Sequence, residues 1–145
     1  MNRSPTRRLR TAWALSVWAL ATGSCSSRTG PALNPVTGSA VFEGRPAAGA
    51  VLTFHRVGDP DKQNLPHAVV AADGSFIVTT FVRGDGAAAG RYAITVIWRK
   101  KGQGHGDDDG GKFVLPLRYL SPETSGLTVE VKEGPNQLVP LVFTK

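Results

Sequence analysis

RYAITVIW, residues 91–98, places Tyr92, Ile94, Val96 and Trp98 at every second position. A period of two sends successive side chains to opposite faces of an extended strand, so four large apolar groups share one face. LTVEVK, residues 127–132, repeats the pattern more cleanly, with Leu127, Val129 and Val131 on one side and Thr128, Glu130 and Lys132 on the other. Working outward, VTGSAVF (36–42), GAVLTFHRV (49–57), HAVVA (67–71), SFIVTTF (75–81) and NQLVPLVF (136–143) bring the β-runs to seven. No helical period competes with them from residue 36 onward.

Turn chemistry falls between the runs. Glu43-Gly44-Arg45-Pro46, Asp73-Gly74 and Glu133-Gly134-Pro135 combine residues that supply positive φ with residues that pre-set it. Asp73-Gly74 between two β-runs predicts a hairpin. Pro140, inside the last run, removes a ladder donor and predicts an edge strand or a bulge there. Seven short strands with regular turns predict an all-β domain: a single seven-stranded antiparallel sandwich of Ig-like type.

The first 24 residues read differently. Arg3, Arg7, Arg8 and Arg10 precede the uncharged run TAWALSVWALA, which ends in Thr22, Gly23 and Ser24. Basic, apolar and small-residue zones in that order predict a cleaved signal peptide, residues 1–24. The apolar run is shorter than the roughly 20 residues a spanning helix needs. The single cysteine, Cys25, follows directly. Its polar surroundings argue against a core position, and with no second cysteine in the chain a disulfide would have to be intermolecular. Thr22-Gly23-Ser24-Cys25 resembles the bacterial lipobox, with Thr22 standing where that motif favours Leu. The resemblance implies acylation of Cys25 and a membrane anchor without a transmembrane helix. The same resemblance implies, with Ser26 rather than Asp after the cysteine, a place at the outer membrane. Residues 25–35, with two prolines and little apolar content, are expected to tether the lipid to a domain at 36–145.

Composition excludes one class of partner. The chain has 17 basic and 11 acidic residues, a net charge of +6. Four of the basic residues lie in the leader, so the mature chain carries 13 basic against 11 acidic, a net +2. Outside the leader the one tight basic cluster is Arg99-Lys100-Lys101. That is no nucleic-acid footprint.

VTGSAVFEGRPAAGAVLTFHRV, through Val36, Gly38, Gly44, Pro46, Ala50 and Phe54, resembles the opening of the carboxypeptidase-regulatory-like (transthyretin-like, prealbumin-type) domain. ADGSF and AGRYAITV match its next hairpin and its Gly-x-Tyr strand, and LPLRYLSPETSGLTVEVKEGPNQL is similar to the ending found in small bacterial lipoproteins of that group. The resemblance spans residues 36–143. It implies a prealbumin-like sandwich and a non-catalytic accessory or adhesion-type role at the cell envelope, with envelope proteins or glycans as partners.

The residues offer little against that reading. No serine sits in a Gly-x-Ser-x-Gly elbow, and acylation would consume the one thiol. The hydroxyisourate hydrolases of the transthyretin fold end in Tyr-Arg-Gly-Ser, whereas Arg118-Tyr119 is reversed and internal here. The alternative function rests on RKKGQGHGDDDGGK, residues 99–112. His105, Asp107, Asp108 and Asp109 between glycines are ligand types for Ca²⁺ or another divalent metal. The acids are consecutive rather than alternating, so the spacing is not that of an EF-hand, and Arg99, Lys100, Lys101 and Lys112 can neutralise them without an ion. The expectation is no cofactor, with loop 102–111 as the alternative metal or small-ligand site. His55 and His67 read as surface histidines. Asp59 and Asp61 read as a turn. Tyr92 and Trp98 belong to the core, which leaves Tyr119, in a Pro-bounded loop, as the freest aromatic for stacking on a sugar.

Overall fold

A computed structural model describes residues 30–59, 63–100 and 111–145. Cys25 and its leader, Asp61, and the acidic loop with His105, Asp107, Asp108 and Asp109 lie outside the described residues. Among the described residues the chain is all-β: β1 (Leu33–Asn34), β2 (Val36–Phe42), β3 (Arg45–Pro46), β4 (Val51–Arg56), β5 (His67–Val69), β6 (Ser75–Ile77), β7 (Ala87–Ala88), β8 (Gly90–Ile97), β9 (Thr128–Val131), β10 (Asn136–Gln137) and β11 (Leu141–Phe143), with one 3₁₀ turn at Leu117–Leu120.

Two sheets share one core. The first is gathered on β2, which pairs with β3, β6, β10 and β11. The second runs β5-β4-β8-β9, antiparallel throughout. Alternation sorts β8 as its sequence predicts: Tyr92, Ile94 and Val96 are buried and Trp98 half-buried. On β9, Val131 is buried while Val129 packs partly against the core. Phe54 joins the layers, its ring 6.5 Å from Phe76 of the first sheet and 6.2 Å from Tyr92 of its own. Each such buried side chain contributes about 1.5–3 kcal/mol.

Three expectations need correction. Among the described residues the strands number eleven rather than seven, because the run 136–143 breaks in two and short pairs form at 33–34, 45–46 and 87–88. The strands are not all antiparallel: β10 and β11 run parallel to β2. A strand that arrives by crossing from the other sheet is not bound to the reversed direction a hairpin imposes. Leu33 and Asn34, which composition assigns to the tether, pair with Ala88 and Ala87. Asn34 is buried, with its carboxamide oxygen accepting from Gly134 N–H at 2.7 Å.

Pro140 acts as expected. Asn136 pairs with Val36 but Leu141 with Ala40, so the last run gains one residue on β2 between the two contacts. The extra residue is a bulge, and it shifts the inward parity from Leu138 to Leu141 and Phe143. The Asp73-Gly74 turn also forms. Asp73 Oδ1 accepts from the Ser75 N–H at 2.9 Å and from the Ser75 hydroxyl at 2.7 Å, and Gly74 takes φ 87°. Its two arms, however, diverge into different sheets, β5 into the second and β6 into the first, and they are joined at the His67–Thr79 bridge. The hairpin is a corner.

Gly38 faces Phe76 across the β2–β6 ladder. A Cβ added at Gly38 would lie 2.5 Å from the Phe76 ring. The glycine is there for close approach. Gly38→Ala is expected to destabilise the domain by about 1–3 kcal/mol through overpacking. An unchanged urea midpoint would show that Phe76 moves aside freely.

Candidate functional site

Among the described residues a concave feature lies on the side of the second sheet away from the core. His55 on β4 and Ala93 and Thr95 on β8 alternate with the buried Phe54, Tyr92 and Ile94, so they face outward. His55 Nε2 is 2.9 Å from Thr95 Oγ1. Thr95 is nevertheless buried, and the 3₁₀ turn packs against β8. Leu120 of that turn and Ser121 and Glu123 just after it, with His55, Arg56 and Asp59, line a cleft of about 540 Å³. Arg56 is fixed at its rim by a 2.9 Å bond from Nη2 to the Ala89 carbonyl. Gly90, beside that bond, has φ 154°, and a Cβ there would sit 2.9 Å from Arg56 Nε.

The cleft therefore offers an imidazole, a guanidinium, two carboxylates and a hydroxyl. That set suits recognition of a polar ligand by paired hydrogen bonds. Within it the Ser121 hydroxyl donates to Glu123 Oε2 and His55 lies beside the Thr95 hydroxyl. Asp59 stands where the turn expectation places it, its N–H donating to the Arg56 carbonyl at 3.4 Å. His55 faces outward as its alternation predicts, but it is half-covered rather than a free surface residue. The covering segment has no periodicity to announce it.

Tyr119 corrects the expectation of a free aromatic. It is buried, its ring 5.7 Å from Phe143, and its hydroxyl accepts from Thr144 N–H at 3.0 Å. Burial raises its pKa, but the Thr144 hydrogen bonds and the nearby Arg118 outweigh this and hold it below the usual phenol range. Arg118 in turn donates to the Thr144 and Lys145 carbonyls at 2.9 and 3.1 Å. With Tyr92 also buried, neither tyrosine offers an exposed ring for a sugar.

Two loops complete the chemistry. Arg99 bridges to Phe113, and Val114 N–H donates to the Trp98 carbonyl at 2.9 Å. These contacts close the stem of the loop that contains His105, Asp107, Asp108 and Asp109. Among the described residues no three His, Cys, Asp or Glu side chains group as a metal site. The second loop, 80–85, is built on Asp85, whose Oδ1 accepts from Thr80 N–H at 2.7 Å and whose Oδ2 accepts from Phe81 and Val82 N–H at 2.9 and 2.8 Å. Sequence alternation extends a strand to Phe81. The carboxylate captures the N–H groups such a strand would use, and β6 ends at Ile77.

No family model matches the chain, and no curated protein matches it in sequence. Several solved structures are similar to it, among them these three. A DUF3823 family protein from Bacteroides ovatus is 14% identical with TM-score 0.42, over 76% of this chain and 44% of that one. A DUF3823 family protein from Parabacteroides merdae is 16% identical with TM-score 0.42, over 79% of this chain and 47% of that one. A 9R-lipoxygenase from Cyanothece is 16% identical with TM-score 0.41, over 80% of this chain and 17% of that one. The chain thus spans less than half the length of each structure it resembles.

Burial raises the Asp85 pKa, but the three backbone N–H groups outweigh it and hold the carboxyl below the ordinary value of 3.8. A group depressed in the folded state contributes stability above its unfolded pKa and loses it as pH falls through the folded one. Asp85→Asn is therefore expected to cost about 1–2 kcal/mol at pH 7, where charge-assisted bonds are lost. The gap between variant and parent should close as acid protonates Asp85, which urea midpoints across the acid range would show.

Proposed function

We propose that the chain is a lipid-anchored, non-catalytic module of the bacterial cell envelope, with a prealbumin-type sandwich of the carboxypeptidase-regulatory-like kind. The observation that carries this reading is where the chain enters the fold. Leu33 and Asn34 are tied to Ala88 and Ala87, and Asn34 also accepts from Gly134 N–H. That fixed point lies eight residues after Cys25. At ~3.5 Å per residue the intervening chain reaches at most ~28 Å. A domain so held stays close to the membrane to which an acylated Cys25 would bind it, the outer membrane being favoured. The cleft beside His55 is the surface for an envelope protein or glycan, since its polar groups serve recognition rather than bond making.

Intact mass of the protein taken from the membrane fraction tests the anchor. The expected species begins at Cys25 and carries three acyl chains, while Cys25→Ala remains uncleaved. A mature chain of unmodified mass would remove the anchor.

The closed stem at Arg99 and Phe113 favours a second reading, in which the loop binds a divalent cation through His105, Asp107, Asp108 and Asp109. Under the first reading, millimolar Ca²⁺ or Zn²⁺ leaves the melting temperature unchanged. A rise that disappears when the three aspartates become asparagine would move the function to the loop.

A further inference from the structure

The loop that Asp85 organises has an apolar tip. Phe81 is 63% and Val82 65% exposed, two of the most open large hydrophobics among the described residues. The tip is stiff rather than slack, because three consecutive N–H groups are bound to one carboxylate and Thr80 Oγ1 donates to the Gly86 carbonyl at 2.6 Å. Its charge is one-sided. Arg83 is exposed at the tip, while the Asp85 carboxylate is turned onto the backbone of its own loop.

The loop also stands where the chain enters the fold. Thr80 and Phe81 line a small cavity together with Pro31, Leu33 and Ala88. Just past the tip, Gly86 packs so closely on β1 that a Cβ there would fall 1.7 Å from the Asn34 carbonyl oxygen. From Cys25 to Pro31 is six residues, a reach of at most ~21 Å. An acylated Cys25 would thus hold this end of the domain within that reach of the bilayer. The far end of β2, where Val142 pairs with Val41, is five residues and about 17 Å further along the strand from Val36.

We propose that Phe81, Val82 and Arg83 form a membrane-seating tip, the apolar pair entering the boundary between headgroups and acyl chains and the guanidinium meeting lipid phosphates. The inference rests on the lipid-anchored reading and deepens it. The acyl chains supply the hold, and the tip sets the orientation. Aromatic and aliphatic side chains beside a cation are the composition an anionic bilayer surface selects. Arg56, Asp59 and Leu65 line both the cavity under Phe81 and the cleft beside His55, so seating also fixes which way the cleft opens.

The test uses the acylated protein on vesicles of phosphatidylethanolamine and phosphatidylglycerol. Acylation is verified first by intact mass, so an unacylated Cys25 overturns the anchor and the seating together and is recognised as such. An environment-sensitive fluorophore is then attached at Phe81→Cys or, as control, at the exposed Val142→Cys, acylation having removed the native thiol. Seating predicts blue-shifted emission and quenching by lipid-borne quenchers at position 81 only, reversed when Val82→Asp is added. Water-like emission at 81 in acylated, vesicle-bound protein overturns the proposal while leaving the anchor intact. A blue shift without vesicles that grows with protein concentration overturns it in favour of contact between copies of the chain.

Discussion

Val36–Phe42 is the strand on which the first sheet depends. Four other strands take their register from it, and two of them return from the far end of the sequence. Such non-local pairing is costly in chain entropy, so it must be specified closely. Gly38 supplies part of that specification: with no side chain it lets the Phe76 ring settle on β2, and Phe76 then reaches Phe54 in the opposite sheet. One absent side chain thereby sets how the two layers meet.

The second sheet supplies the surface on which function is proposed. Its core-facing residues are sealed by the first sheet, and its other face is left for His55, Ala93 and Thr95. A flat antiparallel face tolerates water, so covering it is not required for stability. The segment around Ser121 covers only part of it, and the cleft is the gap that remains. Tyr119 anchors that segment through Phe143 and the Thr144 amide, which links the cleft wall to the last strand of the other sheet.

What the sequence made legible followed from periodicity. The inward set on β8 and β9, the Asp73-Gly74 turn and the irregularity at Pro140 are each local signals, and each appears in the fold. Direction and partner are not local. Nothing in NQLVPLVF distinguishes parallel from antiparallel pairing, since alternation is the same in both. Asp85 escaped notice because a lone aspartate near two glycines resembles any turn, whereas its work is to gather three N–H groups across a loop. The cleft escaped for a similar reason. His55 and Glu123 are 68 positions apart and share no motif. The stretches most expressive in sequence, around Cys25 and Asp107–Asp109, lie outside the described residues.

The bulge before Leu141 has a bearing on how this fold can vary in length. On β2 the offset between partners is one residue greater after Pro140 than before it. Val139 and Pro140 are both exposed and lie between the two paired segments. Loss of one of them would bring Leu141 and Phe143 back into phase with Asn136 and Gln137, turning two short contacts into one continuous ladder. The side chains that fill the core would keep their places. A single-residue deletion, ruinous within most strands because it exchanges the two faces, is here absorbed by a join that already contains the spare residue. The chain can therefore be shortened at this point before anywhere else in the first sheet.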